Sequence, residues 1–236
     1  MDRSLSGSSR APLLSPTLTK QSVYFMIGGS LFAVGAAAAI WGFAGTGFTN
    51  WVCFIGAWFF TTAGLFQVIL SGDATVPGHS GQGKTFRAEW LAAATQSFGT
   101  ILFNVSTTTA LTAKSIAAQK HYMWNPDAGG SVAFLISAFF VYVAYYRSEN
   151  VLWKPSDAAW WSAHINMLGC IAFGVSAVGA FVLNDGSSKN ADVANYGTFI
   201  GAICFVLASA IVLPQLPWNR PKSVTPGAQA NSMVGN

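Results

Sequence analysis

The chain has 236 residues and a net charge of +4, and only 8% of its residues are charged, whereas 52% are hydrophobic. Soluble globular proteins carry about 25% charged residues, so this composition excludes a soluble fold with an ordinary surface. Lipid must be the solvent for much of the chain. The basic residues are scattered, which excludes the clustered charge of a nucleic-acid-binding protein.

Six apolar segments predict an all-α, polytopic membrane protein with six transmembrane helices. A helix needs about 20 apolar residues to cross a hydrocarbon core about 30 Å thick, and an open strand would leave backbone groups unpaired in lipid. None of the segments contains Asp, Glu, Lys or Arg, and the fourth is expected to be the weakest because only residues 132–146 are strongly apolar. The segments are residues 22–43, 51–70, 91–113, 128–146, 160–183 and 195–213.

Glycines and prolines mark the turns between these segments, and eight of the nine tryptophans lie at or outside predicted helix ends. Tryptophan prefers the membrane–water interface, so this distribution supports the boundaries. We predict a disordered cytoplasmic tail over residues 1–20, a six-helix transmembrane domain over 21–214, and a second disordered cytoplasmic tail over 215–236.

The first segment has an alternative interpretation as a cleaved signal peptide, because the alanines at 36–39 resemble a cleavage site. Its apolar stretch is long, and it shares a motif with the later segments. Both features favour a retained helix.

The basic residues predict the orientation of the chain. With six spans, the two tails and the loops after helices two and four lie on one side. That side carries nine Lys and Arg residues, against three on the other. Since basic residues in short loops stay cytoplasmic, we expect both termini in the cytoplasm and the protein in the cell membrane.

A motif of glycine, three residues, phenylalanine, two residues and a small residue recurs along the predicted helices. Composition alone would give about two Gly-x3-Phe pairs, whereas six occur, Gly130 and Phe134 among them. For helix four we assign a degenerate copy: Ser137, Val141 and Ala144. The five full copies contain Gly28 and Phe32, Gly56 and Phe60, Gly99 and Phe103, Gly169 and Phe173, and Gly201 and Phe205.

Residues at i, i+4 and i+7 share one helical face, so the motif forms a stripe along each helix. Helices in lipid associate through close backbone approach, which small residues permit. The stripe therefore predicts helix packing, with the six helices arranged as three hairpins. A substrate path is the alternative, because small residues also leave room, but nothing polar on the stripe favours it.

A family resemblance lies in two stretches of the first hairpin. They are Ile27-Gly-Gly-Ser-Leu-Phe-Ala-Val-Gly35 and Phe54-Ile-Gly-Ala-Trp-Phe-Phe60. Over about residues 20–71 the chain resembles the YrhK-like domain of bacterial membrane proteins. The resemblance implies a shared helical hairpin and no chemistry. This chain departs from a single hairpin by having three.

Residues 78–85 match the P-loop pattern G-x-x-x-x-G-K-[ST]. A P-loop joins a buried strand to a helix, whereas this loop follows a membrane helix and is too short for an α/β nucleotide domain. We therefore do not expect nucleotide hydrolysis. A Gly-rich turn can still hold an anion, so Lys84 and Arg87 are candidate contacts for an anion or a lipid headgroup, with a plain flexible loop as the alternative.

The predicted spans carry few groups for chemistry. Within the predicted spans, His164 is the candidate for a proton pathway, because such pathways use ionisable residues inside the membrane. The alternative is that His164 is a structural residue whose hydrogen bonds are made within the fold. Gln67, Gln96 and Asn104 are expected to hydrogen-bond across helices. The spans contain no carboxylate pair, nucleophile–base pair or metal-ligand cluster, so we expect no enzyme activity, cofactor or metal site.

Two functions fit this sequence. The first is a non-enzymatic integral membrane protein that acts as an accessory, scaffolding or regulatory subunit of a membrane complex. Its expected partners are membrane lipid and other membrane proteins or a second copy, with no nucleic acid. The alternative is a transporter or channel for a small solute or lipid, built from three helical-hairpin repeats.

Overall fold

The computed structural model describes residues 15–77 and 83–213. The described chain is all-helical apart from a two-stranded antiparallel hairpin between the second and third helices, in which Thr75 lies opposite Phe86. The six long helices are α1 Leu18–Trp41, α2 Thr46–Leu70, α3 Ala88–Thr112, α4 Ile116–Glu149, α5 Ala158–Gly179 and α6 Ala191–Ile211; the strands are β1 Thr75–Pro77 and β2 Lys84–Phe86.

Polar capping residues fix where several helices begin, and they lie before the apolar runs. The side chain of Thr17 accepts the Lys20 N–H at 3.2 Å, and that of Asp157 accepts the Ala159 N–H at 3.0 Å. Asn190 caps α6 in the same way. Each cap satisfies a backbone donor that would otherwise be unpaired, so the helices start earlier than their apolar content predicts.

Three predicted boundaries differ from the structure by more than a capping residue explains. α2 begins at Thr46 and not at residue 51, with no side-chain cap. α4 begins at Ile116, far before residue 128, and contains a π-helical turn over Gln119–Trp124. It therefore includes Asp127 and Arg147, which were predicted to lie outside the span. α5 ends at Gly179, because the chain turns at residues 180–183 into a loop that closes by backbone pairing of Val182 with Ser188.

The helices form a closed ring in which each packs against the next, and α1 packs against α6 to complete it. The closest packing joins α1 to α2, α3 to α4, and α5 to α6. Consecutive helices therefore form antiparallel pairs, and all six face a common centre.

The interior holds small residues and phenylalanines, and the large aliphatic residues lie outside. Ala38, Ala57 and Ala202 are fully buried, whereas Ile101 and Leu207 are about half exposed. A soluble protein would bury these aliphatic side chains. This inverted distribution suits a molecule whose surroundings are as apolar as its core.

Five helices, all except α3, are long and apolar enough to cross a membrane, which is compatible with a multi-pass membrane protein. The weak segment is thus the third and not the fourth, since α4 reaches a mean hydropathy of 1.8, the same as α2. α3 has 25 residues but carries polar side chains along its length, among them Gln96, Thr100 and Asn104. All three are buried against neighbouring helices.

Candidate functional site

Six phenylalanines, one from each helix, meet at the centre of the ring in a single aromatic layer. Phe32 lies 5.4 Å from Phe60, 6.2 Å from Phe103 and 6.3 Å from Phe173, measured between ring centroids. Most of these ring pairs are edge-to-face or tilted, the arrangements that aromatic quadrupoles favour. No ring is more than 5% exposed. The aromatic layer consists of Phe32, Phe60, Phe103, Phe134, Phe173 and Phe205.

Paired glycines bring the helices of each antiparallel pair close enough to build this layer. A Cβ atom added at Gly28 would lie 3.0 Å from the Gly56 carbonyl oxygen and 3.0 Å from Cδ2 of Phe60. One added at Gly56 would lie 3.1 Å from the Gly28 carbonyl oxygen and 3.0 Å from Cδ2 of Phe32. Each phenylalanine therefore packs over the glycine of the partner helix.

The same reciprocal contact occurs in the other two helix pairs. In α5 and α6, a Cβ at Gly201 would lie 2.7 Å from Cδ2 of Phe173, and one at Gly169 would lie 3.5 Å from Cδ2 of Phe205. In α3 and α4, a Cβ at Gly99 would lie 2.6 Å from Cδ1 of Phe134. Of the ten residues assigned to packing from the sequence, the five phenylalanines belong to the aromatic layer and the five glycines lie where the helices of a pair touch.

The copy assigned to helix four was wrong. The α4 residues that face Gly99 and Phe103 are Gly130 and Phe134, and a Cβ at Gly130 would lie 2.9 Å from Cδ2 of Phe103. Ser137, which opened the degenerate copy, occupies the last position of a full one. The helix starts earlier than its apolar run predicts, so Gly130 lies well inside it and not at its end.

The aromatic layer leaves almost no free space. Five of its rings surround a void of about 10 Å³ whose lining is entirely apolar. A cavity needs at least about 10–15 Å³ and two to four polar partners to hold a water molecule. In this conformation the layer separates the two ends of the ring.

On one side of the layer a cavity of about 550 Å³ opens between the helices. Its walls come from the first halves of α1, α3 and α5 and from the second halves of α2, α4 and α6, and Phe205 of the aromatic layer lies at its base. Small-molecule sites commonly occupy about 300–1,000 Å³ and combine apolar walls with a few polar groups. We call this space the central cavity.

Four carboxamide residues line the central cavity, and three of them lie at one level, the fourth being Gln21. Gln96 and Asn166 precede the aromatic-layer residues of α3 and α5 by seven positions, and Gln67 follows that of α2 by seven. Seven residues are two helical turns, about 10 Å, and the alternating helix directions place all three on the same side of the layer. We call Gln67, Gln96 and Asn166 the amide level.

Two oxygens at this cavity are buried without a hydrogen-bond partner among the described residues, namely Oγ of Ser22 and Oε1 of Gln67. Ser22 is 1% exposed and Gln96 is 4% exposed. By contrast, Ser137 donates its hydroxyl proton to the Ala92 carbonyl at 2.7 Å. Burying an unpaired polar group costs free energy, and both Ser22 and Gln67 also line the cavity.

Charges lie at the mouth of the cavity and pair with one another. Glu89 lines it, and its Oε2 lies 3.5 Å from Nε of Arg87. Nearby, Lys154 bonds the Glu149 carboxylate, a contact that raises the pKa of Lys154. The interior of the cavity therefore presents neutral hydrogen-bonding groups.

Lys84 and Arg87 lie in different local structures at the end of the loop with the P-loop pattern. Lys84 lies in β2, whereas the lysine of a P-loop begins a helix. Arg87 donates to the Ser71 carbonyl at 2.8 Å and is thereby used to hold the loop. Residues 78–82 lie outside the described residues, so the lipid-headgroup contact stays a prediction.

His164 and Asn104 have partners within the fold. Nδ1 of His164 lies 2.7 Å from the Trp160 carbonyl oxygen, and the imidazole packs on the Trp160 ring at 4.0 Å. The Asn104 NH₂ donates to Thr61 and to the Ala57 carbonyl, which joins α3 to α2, whereas its Oδ1 is buried without a hydrogen-bond partner among the described residues. Within the described residues no three His, Cys, Asp or Glu side chains form a metal-binding group.

Sequence reasoning named Gln67 and Gln96 only as hydrogen-bonding residues, assigned no role to Asn166, and did not recognise a shared cavity. The signal that would have found it is the seven-residue spacing from each motif phenylalanine. That spacing becomes informative only when the direction of each helix is included. Ser22 carries no comparable signal.

Comparison with models of protein families, with curated proteins and with solved structures finds no match to this chain. The resemblance of residues 20–71 to the YrhK-like domain therefore stays a prediction.

Proposed function

We propose that the chain is a six-span protein of the cell membrane, built from three helical hairpins with both termini in the cytoplasm. α3 is included as a span because it has the same length as α2 and packs between α2 and α4. Its polar side chains face other helices, so its modest hydropathy does not expose polar groups to lipid. The repeated glycine–phenylalanine contact supports the three-hairpin arrangement.

The function that this geometry supports best is non-enzymatic transport of a small solute. The observation that carries it is the central cavity, to which all six helices contribute and which ends at the aromatic layer. A cavity open to one side and closed toward the other is one of the two states that alternating access requires. On the proposed orientation, the cavity opens to the cytoplasm.

An accessory or regulatory subunit remains the second proposal, with membrane lipid and other membrane proteins as its partners. Its main support in the sequence was the set of small-residue faces. Those faces are occupied inside the ring, as at Gly28 and Gly56. An accessory function would therefore depend on the lipid-facing surface or on the tails, of which residues 1–14 and 215–236 lie outside the described residues.

Two measurements on the full-length protein separate these functions. Affinity purification from native membranes should recover the protein largely alone, and the purified protein should carry solute flux in liposomes above that of protein-free vesicles. Near-stoichiometric recovery of one membrane complex, with no flux of any solute tested, would instead establish the accessory function.

A further inference from the structure

The polar groups of the central cavity define a particular kind of ligand. A carboxamide offers a carbonyl acceptor and an NH₂ donor, so the amide level presents both functions from three helices. Gln21, nearer the mouth, is a fourth carboxamide residue among those that line the cavity. A solute that fills it should carry both donors and acceptors.

The cavity is poorly suited to an ion. Glu89 is the one residue with a formal charge among the described residues that line it, and Glu89 is paired with Arg87 near the mouth. A charge moved into the apolar interior without an opposite partner would lose its hydration uncompensated. Neutral amides can replace the hydration of a neutral polar solute much more completely.

We propose that the central cavity binds small, uncharged solutes that both donate and accept hydrogen bonds, of the amide or polyol class, and that Gln67, Gln96 and Asn166 are the residues that hold them. This inference rests on the proposed transport function for its route across the membrane. The binding itself does not depend on that route.

The first test compares probes that differ in charge and little else. Urea, guanidinium and nitrate are all planar and have the same number of heavy atoms, but they are neutral, cationic and anionic. Stopped-flow light scattering on proteoliposomes of the full chain gives the flux of each. We expect urea to cross much faster than either ion, relative to protein-free vesicles.

The second test uses matched variants. Gln96→Leu keeps the side-chain volume but removes both hydrogen-bonding groups, and loss of one good hydrogen bond to a desolvated ligand corresponds to a roughly tenfold decrease in urea flux. Gln119→Leu is the control, because Gln119 lies at the opposite end of the ring and does not line the cavity. It should leave urea flux unchanged.

Binding is measured separately by saturation-transfer NMR between the full chain in detergent and the methyl protons of acetamide. Saturation transfer to acetamide in the unmodified chain that is lost in Gln96→Leu would support the binding site. If no flux is seen in the same protein, the binding proposal stands and only the transport proposal is overturned. Flux of the ions at the rate of urea, or unchanged urea flux in a well-folded Gln96→Leu, would overturn the ligand class. Absence of both flux and saturation transfer would overturn both proposals.

Discussion

At the scale of single residues, the glycines of the motif are defined by what a side chain would meet. A Cβ at Gly201 would fall 2.7 Å from a ring carbon of Phe173 and 3.1 Å from the Gly169 carbonyl oxygen. The ring belongs to the aromatic layer and the carbonyl to a packed helix, so neither can move away cheaply. Glycine is required there for space, not for backbone flexibility.

The substitutions Gly56→Leu and Gly201→Leu should each destabilise the protein by about 2–3 kcal/mol or prevent assembly, because overpacking forces apart helices in contact. Thermal unfolding and yield in detergent report the effect. Gly47→Leu is the control, since a Cβ at Gly47 has no neighbour within 4 Å. Normal yield and unfolding temperature for both core variants would show that the stripe has no packing role.

Asp185 makes a local hydrogen-bonded turn in the loop between α5 and α6, outside the helices. Its carboxylate accepts from the Ser187 hydroxyl at 2.7 Å and the Ser187 N–H at 2.9 Å, and these bonds lower its pKa. A lowered folded-state pKa adds stability that is present above the unfolded pKa and is lost as pH falls through the folded one. Ser187→Ala should raise the pKa of Asp185 in an NMR titration; an unchanged pKa would contradict the assignment.

At the scale of elements, α3 shows that the mean apolar content of a helix does not describe the surface that the helix presents. Hydropathy counts every side chain, whereas lipid contacts only the outward ones. Phe98 and Ile101 of α3 are about half exposed, and Gln96 and Thr100 are buried. The helix therefore presents an apolar surface despite its polar composition.

Cysteine labelling of intact cells distinguishes five spans from six. If α3 crosses the membrane, the cysteine introduced by Ser115→Cys is external and the one introduced by Ser156→Cys is cytoplasmic. Both serines lie in exposed connections, after α3 and after α4 respectively. A membrane-impermeant thiol reagent should label only the former. If α3 does not cross, the pattern reverses, because α4 then carries the chain outward.

At the scale of the whole molecule, the aromatic layer joins three helix pairs that otherwise meet along their edges. Phe32 of α1 contacts rings of α3 and α5, and Phe134 of α4 contacts Phe205 of α6 at 5.5 Å. The contacts cross from every pair to the others. The layer both holds the ring together and closes the base of the central cavity.

Phe103→Ala should therefore lower stability by about 3–5 kcal/mol, the usual cost of truncating a buried phenylalanine. Phe98→Ala on the same helix is the matched control, since Phe98 is 57% exposed and should change stability little. Thermal unfolding of both variants in detergent measures the difference. Equal unfolding temperatures would show that the layer does not stabilise the ring.

The sequence by itself determined the all-helical class, because apolar length and backbone hydrogen bonding in lipid leave few other solutions. It also determined the spacing of Gly28 and Phe32 and of the later pairs, since that periodicity is a property of each helix alone. The motif copy in α4 was misassigned because residues 116–127 are too polar for an apolar-length criterion to recognise. The structure shows that they continue the same helix, which begins at Ile116.

The tertiary structure alone decided which helices meet, that the ring closes between α1 and α6, and that the glycines face one another in reciprocal pairs. It also decided that Gln67, Gln96 and Asn166 share a cavity. These residues lie on different helices, and their proximity depends on the rotation of each helix about its axis. That rotation is set by contacts between helices, which no single segment of the sequence contains.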